Sequence, residues 1–150
     1  MPKIAERTIE IKNNIDSVFS YVVNMENFGK WFPKVIDIRA ENNLAHGQIG
    51  KKYMELVKDP IKGNVQMTIE VKESKKNSLF VTHGSYAPLL PQMTVKFSES
   101  SPNTTLVHWR MASRNENIVF RLLALPLARI IIGPRTRIGL NNLKYNLENN

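Results

Sequence analysis

The sequence contains no cysteine. That absence excludes a disulfide framework, thiolate zinc sites and a cysteine nucleophile, and it fits a reducing compartment. Long uninterrupted apolar runs are missing as well. The greasiest stretch, Ile118 to Ile132, is interrupted by Arg121 and Arg129, whereas a helix crossing a bilayer needs about 20 apolar residues. The opening MPKIAERTIEIK alternates polar and apolar residues and has no hydrophobic signal-peptide core, so a cytoplasmic location is expected. Histidine is scarce: His46, His83 and His108 share no metal-ligand spacing such as HExxH or HxH. There is also no carboxylate cluster, GxSxG, P-loop or GxGxxG motif, which argues against nucleotide- or metal-dependent chemistry. No metal and no cofactor are expected.

Acidic residues are few: 13 Asp and Glu stand against 21 Lys and Arg, a net charge of +8. From Arg110 onward only Glu116 and Glu148 oppose Arg110, Arg114, Arg121, Arg129, Arg135, Arg137 and Lys144. Such a surface is either simply solvated or meets an anionic partner. Nucleic acid is not expected, because no aromatic-basic RNA motif or recognition-helix pattern is present.

A chain of 150 residues is expected to form one domain over 1–150 with a core of its own. Lys3 to Lys12 alternates and predicts a first strand. Asn14 can cap a helix whose apolar positions Ile15, Val18, Phe19, Val22 and Val23 recur at helical spacing, with Asp16 in its first turn. Met25 to Phe32 predicts a second short helix or turn, broken by Gly29 and closed by Pro33. From Lys34 the period changes to two. Val35–Glu41, Lys51–Lys58, Asn64–Glu73, Ser78–Tyr86, Gln92–Ser98 and Thr105–Ser113 predict strands, separated by turn chemistry such as Asp59-Pro60, Lys75 to Asn77 and Ser100 to Asn103. Short connections imply an antiparallel meander, polar on one face (Asn64, Gln66, Thr68, Glu70) and apolar on the other (Val65, Met67, Ile69, Val71).

The last third differs. Asn115 to Asn117 can cap a helix that runs through Ile118 to Ile132 into Arg135 to Leu147, with a kink expected at Pro126 and a break or bend at Gly133-Pro134. A helix this long, following a sheet that is apolar on one face, is expected to close over it and leave a greasy interior.

This order of elements resembles the START-like superfamily, also called the polyketide cyclase/dehydrase, SRPBCC or Bet v 1-like fold. The likeness is carried by Ile9-Glu10-Ile11, by Ile15 to Val22, by Met25-Glu26-Asn27-Phe28-Gly29-Lys30-Trp31-Phe32-Pro33-Lys34-Val35, by Gly47 to Tyr53 and by Asn142 to Glu148. The resemblance implies an α+β helix-grip fold: a curved seven-stranded antiparallel sheet around a long C-terminal helix, with two short helices after strand 1. It further implies a small hydrophobic ligand, such as a lipid, sterol, polyketide-like or aromatic molecule, held between sheet and helix by a carrier or sensor. In some relatives the same cavity carries out cyclisation or dehydration.

For the cavity wall the expected ligand-binding residues are Met54, Met67, Ile69, Tyr86, Met93, Val95, Trp109, Met111 and Phe120. Four methionines in different strands are either ordinary core residues or an adaptable wall. Trp31 is expected to pack the sheet floor, and Tyr86, before the Pro88 to Pro91 turn, to stand near the mouth. An acid or base within reach of a substrate would come from His83, Tyr86, Glu55 or Arg110. His83 alternates with Leu79 and Val81, which allows an inward position, although a lone histidine is more often structural. His108 is expected to face solvent. Finally, Arg121, Arg129 and Arg135 fall within an arc of about 120° on a regular helix. They are therefore candidates for transient contact with an anionic membrane, which would make the protein peripheral there.

Overall fold

The computed structural model describes residues 1–149. Its elements are β1 (Lys3–Ile11), α1 (Ile15–Val23), a 3-10 turn (Met25–Lys30), β2 (Val35–Ala40), β3 (Lys52–Asp59), β4 (Gly63–Lys75), β5 (Leu79–Gly84), β6 (Pro91–Ser101), β7 (Thr104–Ser113), α2 (Ile118–Leu123) and α3 (Leu125–Glu148). The strands form one sheet of seven in the order β1-β7-β6-β5-β4-β3-β2, every neighbouring pair antiparallel. The expected helix-grip α+β architecture is the one observed.

Local chemistry explains the element ends. Asn14 accepts a hydrogen bond from the Ser17 amide at 2.8 Å and caps α1, and Asn24 does the same for Glu26 at 3.1 Å in the 3-10 turn. The β4–β5 and β6–β7 turns place Asn77 and Asn103 in the left-handed region, at φ 59° and 58°, where Asn is tolerated better than other side chains. One strand face packs inward: Met67, Ile69 and Val71 of β4, Met93, Val95 and Phe97 of β6, Val107 and Trp109 of β7 all join the core. The opposite face carries the polar partners, as the alternation predicts.

Two expectations for the last third are corrected. The break falls at Ala124, between α2 and α3, and Pro126 sits in the first turn of α3. There its missing N–H costs nothing, because the first amides of a helix have no internal partner. Gly133-Pro134 does not interrupt α3, which runs through both residues. Beside the proline the Thr136 hydroxyl donates to the Ile132 carbonyl at 2.9 Å. A second close approach is built into α3 further on: a Cβ at Gly139 would lie 2.9 Å from the Phe32 ring, so only glycine lets the helix sit this near the 3-10 turn.

Candidate functional site

Between the concave sheet face and the α2–α3 arm lies a cavity of about 330 Å³. Its sheet wall is Val57 of β3, Val65 and Met67 of β4 and Met111 of β7; its roof is Phe120, Ala124, Ala128, Ile131 and Ile132. Phe28 and Phe32 close one end, held by aromatic packing in which Phe28 lies 4.9 Å from Trp31 edge-on and Phe32 stacks on Trp109 at 5.6 Å. The mouth is formed by Pro60, Ile61 and Lys62 of the β3–β4 loop, Tyr86, Leu127 and Arg135. Behind the main chamber is a smaller one of about 50 Å³, lined by Met25, Ile69, Thr82, Gly84 and Met93. Phe28, Glu55, Met67, Pro91 and Met111 belong to both walls, so the two chambers adjoin.

Away from the mouth the walls are apolar except for Glu55 and, in the smaller chamber, Thr82. Glu55 of β3 is only 4% exposed, and its carboxyl makes no hydrogen bond or ion pair with any described residue. Burial alone pushes its pKa up to about 7, since a low-dielectric surrounding disfavours the charged form. Polar groups gather at the mouth. The Tyr86 hydroxyl donates to Asp59 Oδ2 at 2.9 Å, and burial together with that carboxylate pushes the phenol up to about 12. Burial pushes the Asp59 carboxyl upward too, but the amides of Lys62 and Ile61 at 2.9 and 2.8 Å and the Tyr86 hydroxyl outweigh it, holding the group below the usual carboxylate range. Lys62 Nζ lies 5.3 Å from the Tyr86 ring centre. From the helix side Arg135 Nη2 donates to the Lys58 carbonyl at 3.0 Å and so bridges α3 to the end of β3.

The structure brings together most of the residues expected from sequence. Met67, Tyr86, Met111, Phe120 and Glu55 line the main chamber, and Ile69 and Met93 the inner one. Five do not belong. Met54 stands on the outer sheet face opposite Thr68, because its strand neighbours Tyr53 and Glu55 point inward. Val95 and Trp109 face inward but are fully buried in the packed core and reach neither chamber. His83 lies on the outer face: Thr82 and Gly84 occupy the inward positions of β5, and the His83 ring pairs with Gln92 at 2.8 Å. Arg110 alternates outward between Trp109 and Met111, opposite Glu6 and Thr94. His108 is half-exposed and pairs with Glu6 at 2.7 Å.

The three arginines do not form one outward face. Arg121 is exposed, Arg129 donates through Nε to the Lys3 carbonyl at 2.8 Å, and Arg135 turns to the mouth. Residues absent from the expected site are those of the helical roof. Ala128, Ile131, Ile132 and Arg135 recur at helical spacing, a signal present in the sequence once α3 is known to cover the sheet. Val65 already shared a face with Met67 in the strand pattern. Phe28 and Phe32 carried no positional signal.

A family model described as polyketide cyclase / dehydrase and lipid transport matches residues 3–148. The chain belongs to this family. Among solved structures it is similar to a START superfamily protein from Mycobacterium smegmatis, with TM-score 0.76, 13% identity and 96% of each chain covered. A protein from Thermus thermophilus aligns with TM-score 0.74 and 11% identity over 95% of each chain. The di-domain ARO/CYC StfQ from the steffimycin biosynthetic pathway aligns with TM-score 0.72 and 13% identity, over 95% of this chain and 49% of that one. At such identities the likeness shows the START-like fold. No curated protein sequence matches. Among the described residues no helix is long and apolar enough to cross a membrane.

Proposed function

We propose that this member of the polyketide cyclase / dehydrase and lipid transport family is a carrier. It holds a small hydrophobic molecule between the sheet and the α2–α3 arm and exchanges it at an anionic membrane surface. The observation that carries the reading is the cavity of about 330 Å³ with an almost wholly apolar wall, a volume at the lower end of the usual range for small-molecule sites, about 300–1,000 Å³. At its mouth Ile61 is 72% exposed, and the arm that roofs it carries Leu122, Leu123 and Ile130 at 69%, 75% and 71% exposure. Lys62 and Arg121 lie among them in sequence. Apolar residues flanked by cations suit the interface of an anionic bilayer, where side chains enter the acyl boundary and the charges meet head groups.

Native mass spectrometry of the purified protein with the neutral dye Nile red tests the cavity: one dye per chain is expected, and no uptake removes the carrier reading. Vesicle flotation tests the surface. The protein is expected to float with vesicles containing anionic lipid more than with neutral ones, and Leu122→Glu with Leu123→Glu to abolish this; equal absence from both vesicle types removes the membrane step.

One observation favours a second reading, a cyclase or dehydratase acting on a polyketide-like substrate. Glu55 is a carboxyl buried in the cavity wall and poised near neutrality, as a general acid or base needs to be. Its test is loss of water from a poly-β-ketone probe, followed by mass spectrometry, in the wild type against Glu55→Gln. Equal spontaneous loss with and without protein rejects it.

A further inference from the structure

The inner chamber has a composition unlike the rest of the cavity. Its volume of about 50 Å³ is several times the roughly 10–15 Å³ that one water needs on the same measure. That is room for a small head group. Among its apolar walls stand two polar side chains on the concave face, Glu55 of β3, paired with Met67 of β4, and Thr82 of β5, paired with Val71 further along β4, each only 4% exposed. Thr82 donates no hydrogen bond to a described residue, and the Glu55 carboxyl accepts none. A buried acceptor without a donor costs free energy, and nothing in the packing of the sheet requires it: apolar side chains occupy the neighbouring inward positions, Val57 and Met67.

Resting on the carrier reading above, we propose that the ligand enters head first. It is an apolar molecule carrying one compact hydrogen-bond donor, a hydroxyl or a primary amine, and this donor occupies the inner chamber against Glu55, with Thr82 further along the same wall. The apolar body then fills the main chamber under Ala128, Ile131 and Ile132 and points towards Leu127 at the mouth. Where Glu55 is ionised, a ligand whose head only accepts, such as a carboxylate or an ether, leaves the carboxylate unpaired, and a carboxylate places like charges together. Discrimination then comes from the unmet partner rather than from the fit of the apolar part.

The two donor classes differ in their response to pH. An ammonium pairs with the ionised carboxylate and is favoured where Glu55 has lost its proton, whereas a hydroxyl pairs with either form.

The test is displacement of Nile red by decan-1-ol, decylamine, decanoate and a methyl ether of matched length. The alcohol or the amine is expected to displace the dye at a concentration at least ~10-fold lower than the ether, the discrimination typical of a hydrogen bond to a charged or buried group. These advantages are read at about pH 8, where Glu55 is ionised; towards about pH 6 both shrink as the carboxyl is protonated and can donate to the ether, and if the amine is the better of the two its lead over the alcohol shrinks as well. In Glu55→Leu, with folding checked by circular dichroism, the donor advantage is lost and the ether competes as well as the alcohol. Thr82→Val keeps the carboxyl and is expected to reduce the advantage without abolishing it, a control if Glu55→Leu folds poorly. Dye uptake with no preference for donors, or a preference for decanoate, overturns the head-first seat and leaves the carrier reading standing. No dye uptake overturns both.

Discussion

At its C-terminal end α3 presses Leu140, Leu143 and Leu147 into the sheet with exposures of 0%, 0% and 4%, whereas the α2 end of the same arm leaves Leu122 and Leu123 at 69% and 75%. Both ends are apolar, and they face the same sheet. Leu122 and Leu123 line neither chamber, and the inward residues of that end, Phe120 and Leu125, are buried. Under the packed end are β1 and the aromatic group of Trp31 and Phe32, and Gly139 removes even a methyl group from the contact. The α2 end has the cavity below it, and Ala124 and Ala128 are short where longer side chains would have filled it. The grip holds the fold together, and the exposed leucines of the open arm contribute little to stability, because exposed apolar area gains nothing from folding. Its greasy surface is therefore accounted for by something the protein meets.

The contrast is sharpest in a pair of substitutions. Leu143→Ala removes a fully buried side chain from the packed end and is expected to lower unfolding free energy by about 4 kcal/mol in a denaturant titration. Ala128→Phe adds bulk at the open end and is expected to change stability by less than ~1 kcal/mol while abolishing dye uptake. A loss of several kcal/mol from Ala128→Phe would show that the cavity is not space the chain can fill, and would erase the distinction.

The second effect comes from Glu55, between the two ends. Its folded pKa of about 7 lies above the usual carboxylate value. Between those values the folded state holds a proton that the unfolded state has released, so stability falls as pH rises from about 4.5 to about 7 and is flat above. The group contributes roughly 3 kcal/mol to that fall. Glu55→Gln should flatten the profile and leave the protein more stable than wild type at about pH 8. A wild-type profile without this decline would mean that the carboxyl is hydrated or paired.

How far the sequence carried this picture depended on the kind of signal. Strict alternation in β4, β6 and β7 placed the inward residues correctly, because a period of two leaves only one choice of face once an apolar set is present. Where alternation was weak the reading failed. In β5 the run Leu79-Phe80-Val81 is apolar on both faces, so nothing in it showed that Thr82 rather than His83 points inward. In β3 the adjacent Met54 and Glu55 both stood among the candidates although neighbours on a strand point to opposite faces, and the structure puts only the glutamate inside. Hydrophobicity cannot find a charged group held in a cavity, since the cost of burying it is the feature that would argue against the placement. The helix break posed a different problem. Proline marks where a helix can start as well as where it breaks; Pro126 opens α3, and Pro134 lies inside it without ending it.

Phe32 belongs to both regions. One face of its ring stacks on the Trp109 indole at 5.6 Å, and its side chain also forms part of the cavity wall. An optical gauge of occupancy is thereby built into the chain: a guest that shifts Phe32 alters the surroundings of a buried indole, so intrinsic emission should report loading without any label.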